Sequence, residues 1–206
     1  MRTLIAIPCM DEMDSGFVQC LVDMRHVGEV DTTILSGSLV YEARERLAAL
    51  ACDGEYDYVL WLDSDMMFPE TLMLDLIAQD KDFIAGVCAA RRPPYIPCVY
   101  RRDGEGLKFY TEWKDRIFEI DGCGFGVVLM KTKLLKESFD KYHTCFQPMP
   151  KFGEDLSFCL RAKELGYRLF ADPNIEIGHI GKTVISKNAW RKQNVSKGKA
   201  GIENNN

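Results

Sequence analysis

The sequence predicts an α/β domain in which a mostly parallel central sheet is flanked by helices and carries a small antiparallel subsheet. Three observations predict it. Short apolar runs alternate with stretches whose apolar residues fall at helical spacing, the signature of strand–helix–strand crossovers. One run, Tyr58-Val-Leu-Trp-Leu62, is apolar at every position, as suits a strand covered on both faces. The chain has 206 residues, 47% of them hydrophobic, enough for one core and too few for two ordinary domains.

Each element follows from local pattern. Thr3–Pro8 reads as the first strand, broken by its proline, and Thr32–Leu35 as the second, ended by Ser36-Gly37-Ser38. From Leu39, apolar residues at 39, 40, 43, 47, 50 and 51 mark a helix that Asp53-Gly54 closes. Tyr58–Leu62 is the third strand. Pro69-Glu70 open a helix in which Leu72, Leu76 and Ile77 share a face. Phe83–Ala89 is the next strand, and the proline-rich segment 91–97 is loop. Val99–Ile120 alternates weakly, like short antiparallel strands. Gly122–Gly126 reads as flexible backbone leading into a strand over Val127–Met130. A helix over Glu154–Leu165 stops at Gly166, and Tyr167–Ala171 is the last strand. The reading is one domain over 1–181 and a basic tail over 182–206, partly helical or disordered.

Composition narrows the function. A formal net charge of −5 argues against a general nucleic-acid coat. The charge is uneven: Lys182, Lys187, Arg191, Lys192, Lys197 and Lys199 face the single acid Glu203 in the tail, so the body is the more acidic part. Such a tail suits either solvent or an anionic partner. The eight cysteines, at 9, 20, 52, 88, 98, 123, 145 and 159, form no C-x-x-C pair and read as reduced thiols. No apolar run is long enough to span a membrane, and acids at 11 and 12 interrupt any secretory leader. The expected location is the cytoplasm.

Three features carry chemistry. Asp63 and Asp65 follow the central strand directly, where open α/β sheets place ligands. If strand geometry persists, both point the same way, and two close carboxylates call for a cation. Oxygen ligands favour Mg²⁺ or Mn²⁺, which take phosphate oxygens as further ligands. The plain alternative is a helix cap and a solvated acid. Glu154 and Asp155 open a helix, where the dipole favours acids on its own account; the functional reading makes Asp155 a general base. His179, between Gly178 and Gly181, has backbone free to bring its imidazole to a ligand, and would tilt a metal site toward Mn²⁺.

The order of these pieces resembles the glycosyltransferases of the GT-A fold, particularly compact bacterial and phage enzymes grouped with the inverting family two. The resemblance spans roughly 2–181. It rests on Ile7-Pro8, Ala43-Arg44, Tyr58-Val-Leu-Trp-Leu-Asp-Ser-Asp65, Asp121-Gly-Cys-Gly-Phe-Gly126, Gly153-Glu-Asp-Leu-Ser-Phe158 and His179 after the last strand. It implies a metal-dependent transfer of sugar from a UDP- or GDP-linked donor to an acceptor hydroxyl, with inversion. Ile7 and Pro8 would then flank the base, and Arg44, Asp63 and Ser64 the rest of the donor. Asp65 and His179, with Asp63 as a possible third, would hold Mn²⁺ or Mg²⁺ on the diphosphate, and Asp155 would be the base. Gly124, Phe125, Glu154, Arg91 and Trp113 would lie on the acceptor side. The acceptor would be a glycan, a protein or a modified nucleic acid, and the oligomeric state stays open. The core alternative for Arg44 is a surface residue in a weak ion pair. Competing functions are nucleotidyl transfer, disfavoured because the segment after the first strand is acidic (Asp11, Glu12, Asp14), and a non-catalytic nucleotide-sugar binder. A haloacid-type phosphatase is disfavoured by Met67 and by the strand's not being the first.

Overall fold

The structure, a computed structural model, describes residues 1–181; the tail expected over 182–206 lies outside the described residues. In chain order the elements are β1 (Arg2–Pro8), α1 (Ser15–Asp23), β2 (Glu29–Leu35), α2 (Val40–Asp53), β3 (Tyr58–Leu62), β4 (Met66–Met67), α3 (Leu72–Ala78), β5 (Phe83–Gly86) and β6 (Val99–Asp103). They continue with β7 (Gly106–Phe109), β8 (Phe118–Ile120), β9 (Gly122–Cys123), β10 (Val127–Lys131), α4 (Thr132–Tyr142), α5 (Glu154–Glu164), β11 (Leu169–Asp172) and β12 (Gly178–His179).

Seven strands form the main sheet in the order β2-β1-β3-β10-β5-β11-β8. β1 runs parallel to β2 and β3, and β5 parallel to β11. β10 lies between β3 and β5 and is antiparallel to both; β8 is an antiparallel edge on β11. A second sheet, β7-β6-β9, is fully antiparallel, and β4 pairs with β12 in a two-stranded ribbon. No helix among the described residues is long and apolar enough to cross a membrane. All eight cysteines are free thiols.

β3 shows why an unbroken apolar run is required. Val59 and Trp61 enter one core with Leu47, Leu134 and Phe158, from α2, α4 and α5. Leu60 and Leu62 enter the other with Phe17, Leu72 and Leu76, from α1 and α3. Period-2 alternation feeds both faces, and burying each such side chain contributes about 1.5–3 kcal/mol. The first core holds an aromatic cluster of Trp61, Phe83, Phe125, Phe146 and Phe158, with ring centroids 4.9 to 6.4 Å apart. It underlies the residues described below.

Several local expectations are corrected. Pro69 and Glu70 form a turn that leads into α3 rather than its first turn, with the Leu72 amide donating to the Pro69 carbonyl at 3.0 Å. β5 ends at Gly86, three residues short of the expected Ala89. Gly122–Gly126 is fixed rather than flexible: β9 pairs with β6, and the Gly124 amide donates to the Cys98 carbonyl at 2.9 Å.

Candidate active site

The site grows from the carboxyl end of β3. The strand stops at Leu62, and Ser64-Asp65 form a turn closed by the Met66 amide donating to the Asp63 carbonyl at 3.2 Å. Strand geometry therefore does not persist, and the two aspartates diverge to different partners. Asp63 Oδ1 accepts from Arg44 Nη2 at 3.0 Å. Burial and the neighbouring Asp65 and Glu154 raise the Asp63 pKa against the pull of Arg44.

Arg44 is not a surface residue. It projects from α2 into the protein and is 2% exposed, with its guanidinium carbon 5.1 Å from the centroid of the Phe125 ring. Besides Asp63 it faces Asp155 Oδ1 at 3.4 Å and Glu154 Oε1 at 3.7 Å. Burial pulls its pKa down, but the charges of Asp63, Asp155 and Glu154 outweigh that and raise it. Its Nε and Nη1 make no hydrogen bond, so contact is chiefly electrostatic.

Glu154 and Asp155 form the first turn of α5, where the helix dipole favours acids. Asp155 Oδ1 is enclosed without a hydrogen bond, and Oδ2 accepts from the Phe125 amide at 3.2 Å. Oδ2 is the oxygen that presents toward Gly124, whose missing Cβ would stand 3.8 Å from it. Burial pushes the Asp155 carboxyl up to about 7, with Arg44 opposing and Glu154 and Asp63 assisting. A carboxylate titrating there is a far better base at neutral pH than one near 4.

Asp65 meets His179 through backbone pairing. In the β4–β12 ribbon, Gly178 pairs with Met67 and His179 with Met66, and the Ile180 amide donates to the Asp65 carbonyl at 2.8 Å. This sets His179 Nε2 3.4 Å from Asp65 Oδ2. His179 Nδ1 lies 2.8 Å from the Ala89 carbonyl. A carbonyl only accepts, so Nδ1 carries a proton, which leaves the Nε2 lone pair available to a ligand; metal-bound histidines share this tie-back. Two ligands cis on one octahedral ion with bonds of ~2.1 Å stand about 3 Å apart, so this pair fits Mn²⁺ or Mg²⁺. Among the described residues no group of three or more His, Cys, Asp or Glu is set to hold a metal. The remaining ligands would come from substrate and water, as is usual for these ions.

Other expected residues lie elsewhere. Ile7 and Pro8 are both buried at the end of β1, Ile7 completely and in the core on the α1–α3 side. The accessible positions at that strand end are Met10, Asp11 and Glu12. Phe125 is 0% exposed; its ring belongs to the aromatic core and lies beneath the Arg44 guanidinium, and its amide donates to Asp155. Trp113 stacks on Phe118 at 5.5 Å, in a shallow depression with Arg101, Tyr110 and Arg116. Ser64 lies in the turn, its carbonyl accepting from Asp14. Arg91 touches Asp65, with Nη1 2.8 Å from Oδ2. Tyr100 packs tilted against Phe109 at 4.9 Å, and burial raises its pKa, with the Asp155 charge assisting. A depression of about 500 Å³ around Asp82, Lys133, Glu137 and Arg168 lies at the opposite end of the strands. Acids and bases are mixed there.

No protein-family model matches the chain, and no curated protein does. Solved structures do. The chain is similar to A197 from STIV, with a TM-score of 0.62 and 24% identity over 88% of this chain and 87% of that one. It is also similar to GalNAc-T7 solved with UDP, GalNAc and Mn²⁺, with a TM-score of 0.59 and 11% identity over 89% of this chain. Only 43% of the GalNAc-T7 chain is covered, so this chain spans less than half of that protein's length. The fold is GT-A.

Proposed function

We propose that the protein is a metal-dependent glycosyltransferase that moves a sugar from a UDP- or GDP-linked donor to an acceptor hydroxyl with inversion. The observation that carries this is the Asp65–His179 pair, joined from distant parts of the sequence by a two-stranded ribbon and tied back through Nδ1. The GT-A fold and a solved neighbour holding UDP and Mn²⁺ support it.

Asp65 and His179 would hold a divalent cation, which supplies charge neutralisation for the departing diphosphate. Asp63 sits beside the donor sugar, fixed by Arg44. The acceptor oxygen bonds to the anomeric carbon as the bond from that carbon to the diphosphate oxygen breaks. Asp155 Oδ2 takes the acceptor's proton, a step contributing about 10²–10⁴-fold, and Gly124 leaves the space for the acceptor to approach. Arg44 touches neither substrate. It is a positioning residue that holds Asp63 and Asp155 against mutual repulsion.

Thermal unfolding tests the reading. UDP-, GDP- and nucleoside-triphosphate ligands are compared with and without Mn²⁺, where a ligand at 100 times its Kd adds about 2.7 kcal/mol. Stabilisation by a nucleotide-diphosphate sugar that needs the metal and disappears in Asp65→Ala is expected. A preference for triphosphates, or indifference to all of them, overturns it.

A further inference from the structure

Asp65 Oδ2 already has a cationic partner, Arg91 Nη1 at 2.8 Å, on the same oxygen that faces His179 Nε2. Arg91 is 56% exposed and stands at the start of the loop 91–97. The base of that loop is pinned: Ala89 bridges Pro97, and the Ala90 amide donates to the Ile96 carbonyl at 3.0 Å. The same Ala89 carbonyl receives His179 Nδ1. One short stretch of backbone therefore orients the histidine and presents the arginine.

We propose that Arg91 is both a placeholder for the cation on Asp65 and a ligand for the donor's diphosphate, so that it couples the two binding events. This rests on the metal-dependent reading above, and it moves Arg91 from the acceptor side to the donor side. A guanidinium and a divalent cation repel each other and compete for one carboxylate oxygen. A cation arriving alone must displace Arg91 into water, losing a charge-assisted hydrogen bond. A cation arriving with a diphosphate offers Arg91 a second anion within reach, because the phosphate oxygens share the cation with Asp65. The planar guanidinium fork matches phosphate oxygens bidentately, which an ammonium does not. Cation and diphosphate then each tighten the other's binding by the same factor.

The test uses the full chain and two readouts: bare Mn²⁺ affinity by EPR of the free ion, and affinity for UDP and GDP at saturating Mn²⁺ by calorimetry. Arg91→Gln is expected to tighten bare Mn²⁺ and weaken the nucleotide, each by roughly three- to tenfold for an exposed charged contact. Arg91→Lys keeps the placeholder charge, so bare Mn²⁺ stays near wild type while the nucleotide weakens. A merely structural role would shift both affinities the same way. If Arg91→Gln leaves both unchanged, or moves them together, while wild type still binds nucleotide with Mn²⁺, the coupling is overturned and the functional reading stands. If wild type binds neither Mn²⁺ nor nucleotide, both fall.

Discussion

A guanidinium that is 2% exposed and faces three carboxylates is the electrostatic centre of this site. Removing one partner of a buried charge cluster leaves the others uncompensated, which costs about 3–5 kcal/mol. Arg44→Met is therefore expected to lose that much in urea unfolding at pH 7, and Arg44→Lys, which keeps the charge without the fork, to lose less. A change below 1 kcal/mol for Met would mean that solvent already screens the cluster. The position was partly legible. Helical spacing puts Val40, Ala43, Leu47 and Ala51 on one face of α2, and Arg44 falls on that face. A cation on an apolar stripe is the available signal. What it meets there was not readable, because Glu154 and Asp155 arrive from a helix more than a hundred residues later in the chain. Ile7 and Phe125 show the opposite limit: a motif position does not say which side of the backbone is buried, and both side chains are.

The ribbon of β4 and β12 is the element on which the proposed metal site depends. Each strand has two residues, too short to show any alternation in sequence; only the glycines around His179 hinted that backbone would come close there. Gly178 does approach closely, since a Cβ on it would stand 3.1 Å from the Met67 Cβ. Gly86, at the end of β5, matters more. A Cβ there would fall 1.9 Å from Ile177 Cδ1, next to the start of β12. Gly86→Ala is expected to push Ile177 aside, cost about 1–3 kcal/mol as overpacking does, and weaken Mn²⁺ binding by shifting His179. Adding Ile177→Val deletes the methyl group that clashes. Recovery of both the melting temperature and the Mn²⁺ affinity in the double variant locates the effect in the ribbon; recovery of neither refutes it.

Across the whole molecule, the sheet's composition was readable and part of its topology was not. The both-faced burial of β3 follows directly from its residues, as does α5 with its acidic first turn. Two helices were missed: α1, which starts in the polar stretch capped by Asp14, and α4, whose apolar residues Leu134, Leu135 and Phe139 are diluted by lysines. β10 breaks the parallel pattern because β6 to β9, rather than a crossover helix, precede it. The same global packing makes the site a stability liability with a pH signature. The folded-state pKa of Asp155 is raised from 3.8 to about 7, chiefly by burial. Below pH 4 both folded and unfolded chains hold that proton, and the contribution to stability is complete. As pH rises the unfolded chain ionises first, so stability is lost until pH passes about 7. Activity runs the other way, since a base must be ionised to accept a proton, and kcat/KM should climb through the same interval. Asp155→Asn cannot ionise and keeps an oxygen for the Phe125 amide. Its stability relative to wild type should therefore rise by about 2–3 kcal/mol between pH 5 and pH 8, at about 1.4 kcal/mol per pKa unit, while its turnover collapses at every pH. Urea unfolding at pH 5, 6, 7 and 8 reads the difference, and a flat profile would show that Asp155 ionises in the folded protein as an ordinary carboxylate does.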